Sequence, residues 1–306
     1  EVIEGLGDLL VHGVAIRPGH PIALGIIKGK PVFGIPGFPV SAVLAAEQFL
    51  KPTLERILGI AVPERPRVNA TITRKVLSPT GEDEFLRVGL GKVGDRLVAT
   101  PMHRGAGIIT SLVRADGIVV IPRFTEGLNA GQQVSVELLS PLSKIENSIV
   151  AIGSHDVSLD LLASHLNRNN TTRSLSSSNV GSLGGLLALS RREAHLAGCH
   201  LLDEKTGEYN LPFIEQYLKE HSIVLVNLAH RKQGLIVPPG NPKAIATLLD
   251  LYRSNITFIN RQRGSGTRVL LDFKLRQLKV SPEDITGYSR EEYTHLAVAA
   301  AGAAGS

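Results

Sequence analysis

The 306 residues carry a net charge of +5, with 43% hydrophobic and 20% charged side chains. That is the composition of a globular chain with a real core and room for two or three domains. The basic residues are scattered, with no block long enough for a nucleic-acid stripe, and the single cysteine excludes an internal disulfide framework and fits a reducing, cytoplasmic compartment. No run approaches a membrane span and no secretory signal is legible. The chain opens mid-pattern and closes on "LAVAAAGAAGS", so it reads as an internal fragment of a longer protein.

Three regions follow one another. In residues 1–62, "KPVFGIPGFP" reads as a short buried strand, Pro31 to Ile35, and a Gly/Pro turn. A helix follows at apolar period from Val43 to Leu58, with Ser41 in the N-cap region and Gly59 as its stop. In residues 63–141, five alternating apolar runs ("VNATITRKVL", "FLRVGLGKV", "RLVATPM", "GIVVIP", "QQVSVELL") are divided by Gly, Asp and Pro turns. They predict a small all-β barrel or sandwich. Residues 142–306 return to α/β. Strands are expected in "SIVAIGSHD", "TRSLSSSN", "EAHLAGCHLL", "IVLVNLAH", "GLIVPPG" and "ITFIN". Helices are expected in "SLDLLASHLNR", "VGSLGGLLALSR", "PKAIATLLDLYR", "GSGTRVLLDFKLRQL" and "SREEYTHLAVAAA", giving parallel sheets covered by helices. The fold class is thus α/β plus all-β.

The strand-to-helix joints of the last region carry its chemistry. "FINRQRGSGTR" places Arg261, Gly264, Ser265, Gly266, Thr267 and Arg268 where a strand gives way to a helix. A helix N-terminus offers unpaired N–H groups and a positive dipole end, glycines let the backbone approach closely, and arginines add charge in a fork. "IGSHD" supplies Ser154, His155 and Asp156 at a second joint, and "SSSNVGS" supplies Ser178, Asn179, Gly181 and Ser182 at a third. The three joints are expected to converge on a cleft for a tetrahedral oxyanion. Asp156 fits an anion poorly and suits a helix cap or a donor on a larger ligand.

With these segments, "DEKTGEYN" included, residues 147–306 resemble the periplasmic-binding-protein-like domain of molybdate and tungstate biology. The resemblance implies two α/β lobes with the ligand between them. "HGVAIRPGHPIALG" (12–25) and "KPVFGIPGFPVSAVL" (30–44) resemble two hallmark segments of the molybdopterin molybdenumtransferases. In that family molybdate is inserted into adenylylated molybdopterin with a divalent metal, Mg2+, releasing AMP and molybdenum cofactor.

The resemblance implies catalytic roles for Arg17, His20, Ser41 and Ser111, with oxyanion and pterin as small-molecule partners. It implies a homodimer when the protein is intact, and no nucleic acid or membrane. It makes residues 1–62 the C-terminal part of a molybdopterin-binding domain, 63–141 the family's β-barrel and 142–306 a periplasmic-binding-protein-like domain truncated at its C-terminus. The family's acidic metal site is expected upstream of residue 1, so the fragment alone is expected to be inactive. Phe38 stands where the family has asparagine, and His20 where it has lysine. The alternative is a molybdate or tungstate sensor with a decayed transferase portion.

Three signals are set aside. Gly89, Gly91 and Gly94 spell GxGxxG between β-type runs with no helix following. Glu82, Asp83 and Glu84 read as a solvated hairpin tip. His195, Cys199 and His200 match no zinc spacing and read as a buried strand with a packed thiol.

Overall fold

The structure, a computed structural model, describes residues 2–102, 104–105, 107–169 and 172–303. It divides into two compact units, Glu1–Gly198 and Cys199–Ser306.

The first unit is built around a closed barrel. Asp83–Val93 pairs with Arg96–Pro101, which pairs with Arg67–Ile72, then Gln133–Leu138, then Gly117–Ile121, and this last strand returns to Asp83–Val93. All pairings are antiparallel except Arg67–Ile72 with Arg96–Pro101. Inward side chains fill the barrel, among them Ile72, Leu86, Val88, Leu90, Ile121 and Val136. The alternating runs of the sequence therefore close on themselves, which removes exposed sheet edges. Glu84 departs from expectation: it is 3% exposed, not part of a solvated tip. Its strand continues inward, and its carboxylate is met by Ser78 Oγ at 2.6 Å and by Arg104 at 3.1 Å.

Before the barrel, Asp8–His12, Ala23–Ile27 and Lys30–Gly34 form an antiparallel sheet. The strand expected at Pro31–Ile35 is thus the half-exposed arm of a hairpin. Helical turns then run through Pro39–Ala45, a π segment Ala46–Leu50 and Lys51–Leu58, stopped by Gly59 in the left-handed conformation. Phe38, not Ser41, occupies the N-cap, because Pro39 takes the first helical position.

After the barrel, Ser148–Gly153 and Ser174–Asn179 pair in parallel around the helix Val157–Arg168, and the helix Ser182–Ser190 follows. Residues 194–198 run beside Ser148–Gly153 through His195, Leu196 and Gly198, as an isolated bridge and not the strand expected at 193–202. The GxGxxG glycines find their purpose here. A Cβ on Gly91 would lie 2.1 Å from Val150 Cγ2, so this glycine lets Ser148–Gly153 pack flush on the outer wall of the barrel. The sequence-based boundary at 141/142 therefore falls inside the first compact unit.

In the second unit the helix Gly266–Gln277 forms as expected, capped by Ser265, and packs on a core of Leu251, Ile256, Leu275 and Ile285. Leu211–Tyr217 and His295–Ala303 are also helical. The strands expected at 223–230 and 234–240 are absent, that at 256–260 reduces to Asn260–Arg261, and the helix at 242–253 to a 3-10 turn at Leu248–Tyr252. Strand composition needs a neighbouring strand to become a strand. Among the described residues of this unit, only Asn260–Arg261 and Glu291–Glu292 pair as strands. No helix of the described residues is long and apolar enough to cross a membrane.

Candidate functional site

The two hallmark segments meet at the edge of the barrel. Ile16–Arg17 adds in parallel beside Asp83–Glu84. The turn that follows carries Gly19, whose missing Cβ would lie 3.8 Å from Ser41 O, so the turn backs onto the start of the helix Pro39–Ala45. Ser41 is buried there at 4% exposure. His20 is exposed and its Nδ1 lies 2.9 Å from Glu82 Oε1. Ser111, in the short helix Ile109–Val113, is buried and its hydroxyl donates to Ile108 O at 2.6 Å. A small cleft of about 70 Å³ beside these segments is lined by Pro18, Val40, Phe85, Arg87 and Leu112, among others. Arg87 is buried, and burial holds its guanidinium below the usual arginine range, an effect that Glu84 opposes.

Sequence reasoning passed over Arg74, whose signal was faint: with Lys75, one of two adjacent basic residues inside the β-type run "VNATITRKVL". It lines a second cleft of about 140 Å³ in the same unit, where Ser111, Ser178 and Asn179 come together. One side of this cleft is barrel (Arg74, Thr100, Met102), one is the Ile109–Val113 region (Thr110, Ser111, Arg114) and one is the strand end Ser176–Asn179.

The joints at Gly153 and Asn179 lie side by side. Ser154 Oγ and Ser182 Oγ are 3.1 Å apart. Gly185 approaches so closely that a Cβ there would lie 2.7 Å from Gly153 Cα. Asn179 Oδ1 accepts from Gly181 N, and Gly181, at φ 80, is the N-cap of Ser182–Ser190. Asp156 caps its helix, accepting from Ser158 N at 3.0 Å and from Ser158 Oγ at 2.7 Å. His155 Nε2 lies 3.5 Å from Asp160.

The third joint belongs to the second unit. Ser265 Oγ accepts from Arg268 N, and Gly264 turns the chain at φ 81 before Gly266 and Thr267 open the helix. Arg261 donates to Glu292 O and Tyr293 O. Arg268 is 5% exposed, donates to both oxygens of Asp272 at 3.0 and 3.1 Å, lies 3.6 Å from Glu291 and stacks on Tyr288 at 3.9 Å. Its fork is engaged by partners of its own unit.

His195 Nδ1 accepts from Val150 N at 3.0 Å, and burial pushes its pKa down. Burial also raises the Cys199 thiol and lowers His200. Among the described residues no group of three His, Cys, Asp or Glu could hold a metal ion.

The fold and the site define a closed β-barrel joined to an α/β region. Residues 69–139 match the MoeA C-terminal region (domain IV), and residues 163–306 match the PBP superfamily domain. The chain is thus similar to domain IV of MoeA over its barrel and to the PBP superfamily over the residues that follow. It is 39% identical over 150 residues to the uncharacterized protein YvgK of Bacillus subtilis, covering 49% of this chain and 48% of that one. It is 33% identical over 126 residues to molybdopterin molybdenumtransferase 2 of Mycobacterium tuberculosis, covering 40% and 30%. A crystal structure of the molybdopterin biosynthesis protein MoeA from Pyrococcus horikoshii aligns at 41% identity and a TM-score of 0.39, covering 46% and 34%. The chain spans between about a third and a half of the length of these relatives.

Proposed function

We propose that the chain serves molybdenum cofactor biosynthesis, as part of a molybdopterin molybdenumtransferase that inserts molybdate or tungstate into adenylylated molybdopterin. One observation carries this reading: the Arg17–His20 turn and the start of the Ser41 helix are laid together on the edge of the barrel. Arg17 and His20 present positive or donor groups at a stiff turn. In this reading Ser41, at the start of the helix behind the turn, and Ser111, in the helix Ile109–Val113, are the substrate-proximal hydroxyls. Such a surface acts by charge and position on an oxyanion, with no covalent step of its own.

In this reading the first unit takes the oxyanion or the pterin through Ser154, His155, Asp156, Ser178, Asn179, Gly181 and Ser182, while Arg261, Gly264, Ser265, Gly266, Thr267 and Arg268 form a separate strand-to-helix joint of the second unit. The intact protein acts as a cytoplasmic homodimer. One observation favours the alternative of a sensor with a decayed transferase. Phe38 sits at the N-cap with no side-chain hydrogen bond to the helix, a position where an amide would cap.

The test is a cofactor-insertion assay on the protein carrying the relatives' full complement of segments. Arg17→Ala is expected to lower output, by about tenfold for a lost charge-assisted bond. Activity that is absent in the parent and appears only in the His20→Lys, Phe38→Asn double variant would establish the sensor reading instead.

A further inference from the structure

The 140 Å³ cleft shares Ser111, Ser178 and Asn179 with the residues named above, and adds Arg74, Arg114, Thr110 and Ser176, which that reading does not use. It exists because the strand Ser174–Asn179 lies along the outside of the barrel. Gly89 makes the room: a Cβ there would come within 3.1 Å of Ser176 Oγ, which places that hydroxyl on the barrel side. Strand alternation puts Ser178 on the same face as Ser176.

The cleft is lined by two guanidinium groups, six hydroxyls and an amide, and by no carboxylate. Arg74 is anchored by a 2.9 Å bond to Pro101 O, while its Nε is buried without a hydrogen-bond partner. A buried donor without an acceptor is costly, and an anion in the cleft offers this guanidinium a further one.

The surrounding charges do not cancel the two arginines. Asp160 lies 3.5 Å from Arg114, with side chains 42% and 63% exposed, and an exposed pair at that distance binds weakly. Glu84 is committed to Ser78 and Arg104. Arg104 in turn repels Arg74, and this repulsion, after burial, lowers the Arg74 pKa. The volume falls well short of the roughly 300–1,000 Å³ typical of sites for larger ligands. It suits a compact anionic group.

We propose that this cleft binds a tetrahedral oxyanion, free or as the terminal phosphate of a larger molecule, with Arg74 and Arg114 supplying charge and Thr110, Ser176 and Ser178 supplying hydroxyl donors. The site is composite, because the barrel alone lacks the serines and the following α/β segment alone lacks the arginines. It stands on the cleft and does not require the transferase reading.

The experiment is calorimetric titration of the full chain with inorganic phosphate, molybdate and glycerol 3-phosphate at low ionic strength. One site is expected. Arg114→Gln should raise the Kd about tenfold or more, and the Ser176→Ala, Ser178→Ala pair a few-fold, with melting temperatures within a few degrees of the parent. Tighter binding of glycerol 3-phosphate than of phosphate identifies a phosphorylated molecule as the source. Equal or tighter binding of the inorganic anions identifies a free oxyanion. The proposal fails if none of the three binds. It fails equally if both variants bind like the parent, or if Ser265→Ala in the second unit abolishes binding. A transfer assay that fails leaves this titration unaffected, so the two readings can fall separately.

Discussion

Arg268 shows how a residue suited to a ligand can be taken up by its own fold. Its guanidinium is buried, donates through Nε to both oxygens of Asp272 and stacks on Tyr288, with Glu291 close by. Removing it takes the buried cation from two carboxylates: Asp272, about a third exposed and still bonded by Tyr288 OH, and Glu291, about a quarter exposed and still facing Arg263. Breaking a fully buried pair costs about 3–5 kcal/mol; this partly solvated one should cost roughly 2–3. Urea denaturation of Arg268→Ala followed by tyrosine fluorescence measures it. Unchanged stability with lost oxyanion binding would show that Arg268 serves a ligand. Glu193 is a second case. It is 5% exposed and its Oε2 has no hydrogen-bond partner. Burial raises its pKa, against the opposing pull of Arg191 and Arg96. The folded state therefore holds this proton more tightly than the unfolded chain. The stability this contributes is full below the ordinary carboxylate pKa and is lost as pH rises through the raised one. Glu193→Gln should remove that fall, matching the parent at about pH 4 and exceeding it at about pH 7. Parallel urea titrations at the two pH values check it, and an unchanged slope would reject the assignment.

At the scale of elements, the join between barrel and α/β segment rests on two glycines that the sequence displays but does not explain. Gly91→Ala drives a methyl into Val150, and overpacking of this kind costs about 1–3 kcal/mol. Val150→Ala added to it should recover part of the loss, a coupling that a double-mutant cycle on melting temperature reads. Additive losses would mean the two residues are not in contact. The same elements show what was legible. The barrel strands alternate at period two and were readable one by one, because an inward face of Leu86, Val88 and Leu90 repeats at every second position along the strand. The caps at Asp156 and Ser265 were readable from their residue types. The cleft was not. Arg74 and Ser178 are 104 positions apart, and only the packing allowed by Gly89 and Gly91 brings their strands together. Buried Glu84 was misread for a related reason: its partners Ser78 and Arg104 come from other turns of the chain.

At the scale of the whole molecule, the two units differ in how their backbones are satisfied. The first closes a barrel and adds a βαβ element, so its strands protect one another. The second holds a small core under the helix Gly266–Gln277, while residues 222–247 include no helix or strand. Within that stretch Val224, Val226 and Ile236 are two-thirds or more exposed, and Arg231 and Lys232 are exposed. Composition predicted strands at 223–230 and 234–240, because composition reports the hunger of a segment for burial and not the presence of a partner. Proteases cut backbone that is exposed and free of regular structure far faster than paired backbone. Brief trypsin digestion should therefore cleave first after Arg231 or Lys232, and mass spectrometry should find an N-terminal product that keeps the barrel intact. Lys92 and Arg96, in the hairpin joining two barrel strands, serve as the internal comparison. First cuts there would mean that the barrel opens more readily than the second unit and that the closed ladder does not dominate the stability of the chain. A pairing partner for 223–240, supplied by a ligand or by another chain, would slow the cut at Arg231 and leave the rate at Lys92 unchanged.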